Sequence, residues 1–206
     1  MAYAANDALL NFGQADEKAK RDKYLSISQE QLQRLSGLVE QILTMSMEQR
    51  KTFRLRPEEI TLATLLESLT EQHKLKAQNP IDIDYRVEPA NLTVFADRTH
   101  FSNILSNLID NAVKYSPGKA FIRIHCRETA DNGKVEISVS DEGTGIAQEK
   151  QKHIFDKFYR VPTGNLHNVK GYGLGLYYVK TMIEKHGGTV CVKSEPGHGS
   201  TFTITL

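Results

Sequence analysis

The stretch with the clearest chemical potential is residues 171–176, where three glycines alternate with larger residues just before an apolar run. The glycines leave the backbone bare of side chains, and the apolar run predicts a helix that begins at once. The free N–H groups at the start of a helix suit an anion such as phosphate. A glycine pattern alone serves tight turns just as often. The prediction of a phosphate-binding loop therefore depends on the motifs that accompany it.

The first accompanying motif is a pair of asparagines. Asn107 and Asn111 are four residues apart and share one face of a predicted helix, with Lys114 and Tyr115 on the next turn. One asparagine on a mainly apolar helix is usually a satisfied buried amide, but two stacked ones are harder to explain in that way. Amide oxygens are hard ligands that suit Mg²⁺, whose other partners are typically waters and substrate phosphates. Lys114 can neutralise phosphate charge, and Tyr115 can offer its ring to a base.

The second accompanying motif is Asp141, which directly follows a predicted strand and precedes Gly143 and Gly145. Its simplest interpretation is an Asx turn at the end of a strand. The functional alternative is a carboxylate that accepts a hydrogen bond from an exocyclic amine, with glycines that let a base approach the backbone. Such an amine fits adenine and not the ring-edge carbonyl of guanine. Together with the asparagine pair and the glycine loop, Asp141 predicts an ATP site.

Composition bounds the class of protein. The 206 residues fit one compact domain plus an appendage, with 39% hydrophobic and 25% charged residues. The net charge of +1 gives no indication of a nucleic-acid surface. No apolar run approaches the roughly 20 residues of a membrane span, and Met1–Leu10 lacks a signal-peptide layout, so the chain is expected to be soluble. Cys126 and Cys191 are interpreted as free thiols in a reducing compartment.

Residues 1–51 differ in kind from the rest. Leu25, Leu32 and Val39 recur every seven residues, which predicts a long amphipathic helix. That helix either folds back on its own domain or, as its narrow apolar stripe somewhat favours, pairs in a coiled coil or four-helix dimer.

Residues 52–206 predict a catalytic-type domain of alternating helices and strands. Strands are expected at 53–56, 81–87, 92–95, 120–127, 134–140, 190–193 and 201–206. Helices are expected at 62–76, 101–113, 148–158 and 175–186, and a mobile lid at 160–170. Adjacent hairpins make the sheet mixed and mostly antiparallel. The predicted fold class is an α/β two-layer sandwich.

Five motifs, in this order, strongly resemble the motif boxes of bacterial sensor histidine kinases. They are residues 107–116, 141–146, 154–160, 171–176 and 197–202. These kinases belong to the wider GHKL class of ATPases with the Bergerat fold, and the resemblance covers about residues 52–206. Residues 1–51 look like the second helix of the family's dimerisation and histidine-phosphotransfer hairpin. The resemblance implies ATP and Mg²⁺ as cofactors, a response-regulator receiver domain as partner, and a homodimer through the N-terminal hairpin of the intact protein.

The resemblance also implies roles for individual residues. Asn111 would coordinate Mg²⁺, supported by Asn107, and Lys114 would contact phosphate; these three are the catalytic candidates. Tyr115 would flank the adenosine, and Asp141 would hold the adenine amine. The other nucleotide-binding residues that the resemblance implies are Gly143, Gly145, Ile146, Lys157, Phe158, Arg160, Gly171, Tyr172, Gly173, Leu174, Gly175, Leu176 and, through water, Thr201. Phe155 and Phe158 would anchor the lid, and Lys157 and Arg160 would approach the phosphates.

Asn107 distinguishes between branches of the class. The ATP-hydrolysing members that resemble gyrase and the heat-shock chaperones carry a glutamate four residues before the metal-binding asparagine, as the base that activates water. Asn107 stands in that place and cannot take a proton. A histidine acceptor attacks as a neutral base and needs less help. The sequence therefore favours phosphoryl transfer over hydrolysis.

The family's acceptor histidine is followed by an acidic residue and, a few residues on, a proline. None of the seven histidines fits that pattern: His73, His100, His125, His153, His167, His186 and His198. We expect the acceptor before residue 1, with this chain inactive in autophosphorylation as a cytoplasmic piece of a membrane-anchored kinase whose sensor and membrane segments lie upstream. No nucleic-acid partner is expected. The alternatives are a catalytically silent nucleotide-sensing interaction module and a GHKL-type ATPase.

Overall fold

The fold was analysed in a computed structural model, which describes residues 24–25, 27–28, 32, 54–77, 79–129, 133–161 and 173–206. The chain divides into two compact units, Met1–Phe53 and Arg54–Leu206. The described residues of the first unit are helical. Most of the predicted N-terminal helix lies outside the described residues, so its pairing role and the predicted domain boundary stay predictions.

The second unit contains two sheets. The strands are β1 (Pro57–Thr61), β2 (Ile81–Glu88), β3 (Thr93–Asp97), β4 (Ala120–Glu128), β5 (Val135–Asp141), β6 (Thr189–Ser194) and β7 (Ser200–Thr205). The helices are α1 (Leu62–Lys76), α2 (Arg98–Lys114), α3 (Gln148–Gln151) and α4 (Gly175–Lys185). β1 pairs with β3, and the larger sheet has the order β2-β4-β5-β7-β6, with β2 parallel to β4 and the other pairs antiparallel. The predicted two-layer sandwich with a mixed, mostly antiparallel sheet is confirmed.

The core lies between one face of the larger sheet and the helices. In β4, Ile122, Ile124 and Cys126 are buried, whereas the alternating positions Phe121 and Arg123 are exposed. The buried residues of α2 recur at helical spacing: Phe101, Ile104, Leu105, Leu108, Ile109 and Ala112. Burial of each large aliphatic side chain stabilises the fold by about 1.5–3 kcal/mol. This packing holds α2 and α4 rigidly against the sheet.

α2 and α4 run antiparallel, and their register is set by polar contacts. The N–H of Asp97, at the start of α2, donates to Nε2 of His186, just after the end of α4, at 3.0 Å. One turn further, Nδ1 of His100 lies 3.0 Å from the hydroxyl of Tyr178. These contacts bring the middle of α2 beside the first residue of α4.

The free energy of unfolding is expected to decrease as the pH falls below about 6.5. Burial lowers the pKa of His100 below its ordinary value of 6.5, opposed by Asp97 and assisted by His186. The unfolded chain therefore takes up a proton that the folded chain resists, so the stabilisation present above pH 6.5 is lost on acidification. Thermal melts between pH 8 and pH 5 should show a smaller loss in His100→Gln than in the wild type. An equal loss in both proteins would contradict this assignment.

Two predicted elements are wrong. The strand expected at 53–56 begins instead at Pro57, which is tolerated as the first residue of an edge strand because it has no N–H to pair. The helix expected at 148–158 ends at Gln151. Beyond it, the N–H groups of His153, Asp156 and Tyr159 each bond the carbonyl three residues earlier, which makes successive turns. Most of the predicted lid lies outside the described residues.

Candidate nucleotide-binding site

The asparagine helix and the glycine-rich motif meet at one point. The amide nitrogen of Asn107 donates to the carbonyl oxygen of Asn103 at 2.8 Å. A Cβ on Gly175, the first residue of α4, would lie 2.7 Å from Oδ1 of Asn107. Glycine therefore lets the start of α4 approach the asparagine helix, and with it the free N–H groups of the first turn.

Asn111 carries bonding capacity that the described protein does not use. Its Nδ2 atom is buried and has no hydrogen-bond partner among the described residues. Leaving a buried polar atom unpaired costs about 1–3 kcal/mol, so an unpaired amide calls for a reason. Nitrogen and oxygen of an amide are assigned by their bonding and not observed directly. Only the amide oxygen can coordinate a hard cation such as Mg²⁺, so this role requires the amide orientation that puts the oxygen in the unpaired position.

Two cations lie close together beyond the asparagines. Burial lowers the pKa of Lys114, and the positive charge of Arg160 lowers it further. The ammonium of Lys114 lies 5.0 Å from the ring centre of Tyr115, and burial raises the pKa of that phenol. Charges of the same sign in a partly buried place are relieved by an anion between them. This electrostatic environment suits a polyphosphate.

Asp141 ends β5 inside a tight backbone cradle. Its Oδ1 accepts the N–H of Gly143 at 2.8 Å, and its carboxylate also accepts the backbone N–H of Ser200. Burial outweighs these bonds and raises the pKa of Asp141. A Cβ on Gly143 would lie 2.7 Å from both this Oδ1 and the carbonyl oxygen of Tyr115, so the position excludes a side chain. The cradle joins the end of α2 to the loop after β5.

The loop after β5 is also locked to the turn between β6 and β7. Gly145 has a φ of +68°, and a Cβ there would lie 1.9 Å from the carbonyl oxygen of Glu195. Gly199 has a φ of +80°, and its Cβ would lie 1.9 Å from the carbonyl oxygen of Asp141. The N–H of Gly197 donates to the carbonyl of Thr144 at 2.8 Å. These approaches make the two loops one body.

Gly199→Ala should therefore destabilise the domain much more than Gly197→Ala. Both residues have φ near +80°, which costs alanine about 1–2 kcal/mol, but nothing lies within 4 Å of a Cβ on Gly197. Gly199→Ala adds a clash with backbone, for a total of about 3 kcal/mol. Urea unfolding of both variants measures the difference. Equal midpoints would mean that the close contact at Gly199 is not present.

The two ends of the predicted lid are joined by backbone. The N–H of Phe158 donates to the carbonyl of Gly173 at 3.1 Å, and a Cβ on Gly173 would lie 2.6 Å from the carbonyl oxygen of Tyr159. Phe158 has a φ of 65°, and 63% of its surface is exposed. Phe155 packs edge-on against Phe202, with ring centres 6.3 Å apart. The anchoring side chain is thus Phe155, whereas Phe158 contributes its backbone. Gly171 and Tyr172 lie outside the described residues.

A cavity lies between these elements. Its apolar wall consists of Tyr115, Ile146, Ile154 and Leu176, and its polar lining includes Arg160 and Ser200. A larger groove follows the turn between β6 and β7 and is lined by Asp141, Ser200 and Thr201, among others. Ser200 lines both openings, whereas Asp141 lines only the groove. The cavity joins Tyr115, which directly follows α2, to the loop after β5, to residues 159–161 at the start of the predicted lid, and to α4.

Thr201 lies on the other side of β7. Its hydroxyl is 2.9 Å from that of Ser140, a cross-strand neighbour. The neighbouring Ser200 and Phe202 are buried on the helix-facing side. Ser200, which lines the cavity, is therefore added to the candidate site, and the role of Thr201, which lines the groove, stays a prediction. Period-two alternation from Phe202 could have indicated this in the sequence.

Lys157 and Leu174 complete the set of predicted residues. Lys157 is exposed, with its ammonium 5.3 Å from the ring centre of Phe158 and 5.9 Å from that of Tyr177. Leu174 is buried and immediately precedes α4. Lys157 thus lies beside Phe158, just before the predicted lid. Leu174 is an apolar anchor whose backbone leads into α4.

The mixed sheet with helices on one face, the close contact of an asparagine helix with a glycine-led helix, and a cavity lined by residues next to both helices define a nucleotide-binding domain of the Bergerat type. Residues 96–206 match the family described as histidine kinase-, DNA gyrase B- and HSP90-like ATPase, and the chain belongs to that family. Within it the chain is a catalytic domain of the sensor histidine kinase kind. Sensor protein RprX of Bacteroides fragilis is 41% identical over 178 residues, which cover 86% of this chain and 34% of that protein.

Other relatives agree. Sensor-like histidine kinase SenX3 of Mycobacterium tuberculosis is 36% identical over 174 residues, which cover 84% of this chain and 42% of that protein. Full-length ShkA, solved in complex with AMPPNP, aligns with a TM-score of 0.75 at 27% identity, over 91% of this chain and 38% of that chain. The chain thus spans well under half the length of these relatives. Among the described residues, no helix is long and apolar enough to cross a membrane.

Proposed function

We propose that this domain binds Mg-ATP and, as part of a longer protein, transfers the γ-phosphoryl group to a histidine on a dimerisation helix for relay to a response-regulator aspartate. The observation that carries the proposal is the meeting of Asn107 with the start of α4, beside the unsatisfied amide of Asn111. The relative RprX is named as a sensor protein, and the similar structure of ShkA was solved with the ATP analogue AMPPNP bound.

The adenine would lie in the cavity with its amine toward Asp141. The carboxylate accepts two backbone N–H groups and retains lone pairs for a further donor. Tyr115, Ile146 and Leu176 would cover the faces of the ring. Gly145 lines the cavity, and its missing Cβ lets the turn between β6 and β7 pack against this wall.

The triphosphate would follow the start of α4. The first turn of this helix has no acidic residue and no side-chain cap, so its N–H groups and positive dipole end are available to an anion. Lys114 and Arg160 supply positive charge from the other side. Asn111, supported by Asn107, would hold the Mg²⁺, which neutralises phosphate charge when bound.

Nothing at Asn107 can serve as a base for water. Its amide nitrogen is used in the bond to Asn103, and an amide does not accept a proton at neutral pH. Hydrolysis would need such a base, whereas a neutral imidazole already has a nucleophilic lone pair. This difference supports transfer to histidine over an ATPase role.

The test follows the γ-phosphoryl group of labelled Mg-ATP, with the chain alone and with a separately made acceptor-helix fragment. Label that moves to an acid-labile, base-stable bond only when acceptor is present would support the proposal. Rapid release of phosphate without acceptor would instead indicate an ATPase. ATP binding without either reaction would favour the nucleotide-sensing module. Homodimerisation, a receiver-domain partner, an acceptor outside this chain and a cytoplasmic location remain part of the same proposal.

A further inference from the structure

One serine hydroxyl ties the turn between β6 and β7 to the loop after β5. Ser194 Oγ accepts the N–H of Ile146 at 2.8 Å and donates to the carbonyl oxygen of Gly199 at 2.7 Å. Ser200 Oγ lies 3.0 Å from Ser194 Oγ. A serine hydroxyl has one hydrogen and two lone pairs. Because the hydrogen of Ser194 is donated to Gly199, Ser200 must be the donor in the bond between the two serines.

This order of bonds fixes what Ser200 presents to a ligand. Ser200 is 7% exposed and lines the nucleotide cavity. Its only hydrogen points to Ser194, so toward the cavity its oxygen can only accept. Asp141 lies directly opposite Ser200 in the sheet, and an ionised carboxylate is also an acceptor without a hydrogen to give. The Ser200 oxygen thus faces the cavity as an acceptor, and Asp141 adds a second acceptor beside it in the adjoining groove.

We infer from these bonds that Ser194 is a positioning residue: by holding Ser200 as an acceptor, it makes the site prefer adenine to guanine. This inference rests on the proposed ATP site. Adenine carries an amine donor where guanine carries a carbonyl acceptor. A guanine carbonyl would meet two acceptors and remain desolvated and unpaired, which lowers its affinity. A Ser200 hydroxyl free to rotate would donate to that carbonyl and weaken the discrimination.

Gln151 holds the Ser194–Ser200 hydrogen bonds in place. Its amide nitrogen donates to the carbonyl oxygen of Ile146 at 2.9 Å and to that of Ser194 at 2.7 Å, which uses both of its hydrogens. The loop and the β6 end cannot separate without breaking these two bonds and the Ile146–Ser194 bond. No sequence motif marks Gln151 or Ser194, because their partners are backbone groups and one neighbouring hydroxyl that only the fold brings together.

The test compares the dissociation constants of ADP and GDP by calorimetry for the wild type, Ser194→Ala and Ser200→Ala. The ADP preference should fall about tenfold in each variant, the change that one hydrogen bond of ordinary strength supports. The double variant should show no further fall than Ser200→Ala, since without the Ser200 hydroxyl the loss of Ser194 has nothing to release. Thr203→Val, on the other face of β7, is the matched control and should keep the wild-type preference. Ser194→Thr retains a hydroxyl and should restore most of it.

The outcomes separate this inference from the proposed function. A wild type that binds no ADP would overturn the proposed function and this inference with it. A wild type that binds ADP, with Ser194→Ala lowering both affinities by the same factor, would overturn this inference alone, because a merely structural role leaves the ratio unchanged. If Ser194→Ala does not fold, Ser200→Ala decides: an unchanged ratio there overturns the inference as well.

Discussion

Replacing Asp141 by asparagine is expected to remove most of the affinity for adenine nucleotides and to leave the domain at least as stable as the wild type. The amide oxygen of asparagine has two lone pairs and can still accept the N–H groups of Gly143 and Ser200 that the carboxylate accepts. Its NH₂ group, however, would face the amine of adenine and leave two donors unpaired. Losing a charged acceptor and leaving its partner unsatisfied costs about 3 kcal/mol, or roughly 100-fold in dissociation constant.

The stability side of this prediction follows from the pKa of the carboxyl group. Burial raises the pKa of Asp141 above its ordinary value of 3.8, so the folded state resists ionisation more than the unfolded chain does. The associated stability is present below the unfolded pKa and is lost as the pH rises through the folded pKa. At neutral pH the ionised carboxylate therefore destabilises the ligand-free domain. Asparagine has no charge to desolvate.

The measurement is ADP binding by calorimetry together with a thermal melt without nucleotide. Asp84→Asn, an exposed change on β2, is the matched control and should alter neither quantity. A variant with unchanged affinity would exclude Asp141 from base recognition. A variant that loses affinity only because it melts well below the wild type would show a structural role instead.

The sequence is most informative where one periodic pattern decides the structure. The bounds predicted for α1, 62–76, agree with Leu62–Lys76, because buried leucines recur at helical spacing between Thr61 and the Asn79-Pro80 pair. The hairpin of β4 and β5 follows from alternation on both sides of a polar turn. Non-local pairing leaves no such local signal. The parallel pairing of β2 with β4 and the separate sheet of β1 and β3 became visible only in the structure.

In the candidate site, too, local motifs were predictable from the sequence and non-local contacts were not. The motifs predicted that Asn107 and the glycine loop act together, and the contact with Gly175 gives that prediction a geometry. The resemblance implied Thr201, but strand alternation puts Ser200 on the cavity side. The positive φ of Phe158 escaped prediction because it accompanies a tertiary bond to Gly173 that leaves no local signal.

Asn111→Ala is expected to remove the Mg²⁺-dependent part of nucleotide affinity and to lower transfer of the γ-phosphoryl group to an acceptor-helix fragment about 10³-fold. A bound cation contributes several kcal/mol of charge stabilisation in phosphoryl transfer, and each 1.4 kcal/mol is tenfold. The unfolding midpoint should not fall by more than the loss of a small buried side chain, since alanine also removes an unsatisfied polar atom.

The control that separates a ligand role from helix damage is Asn103→Ala, on the same helix. The side chain of Asn103 is exposed, and its carbonyl, which accepts the Asn107 amide, survives the substitution. ADP affinity with and without Mg²⁺ should give the same ratio in Asn103→Ala as in the wild type, and a ratio near one in Asn111→Ala. If Asn111→Ala keeps the wild-type ratio, the cation is held elsewhere. The unsatisfied amide would then need another partner, because a buried polar group this costly is retained only where something pairs with it.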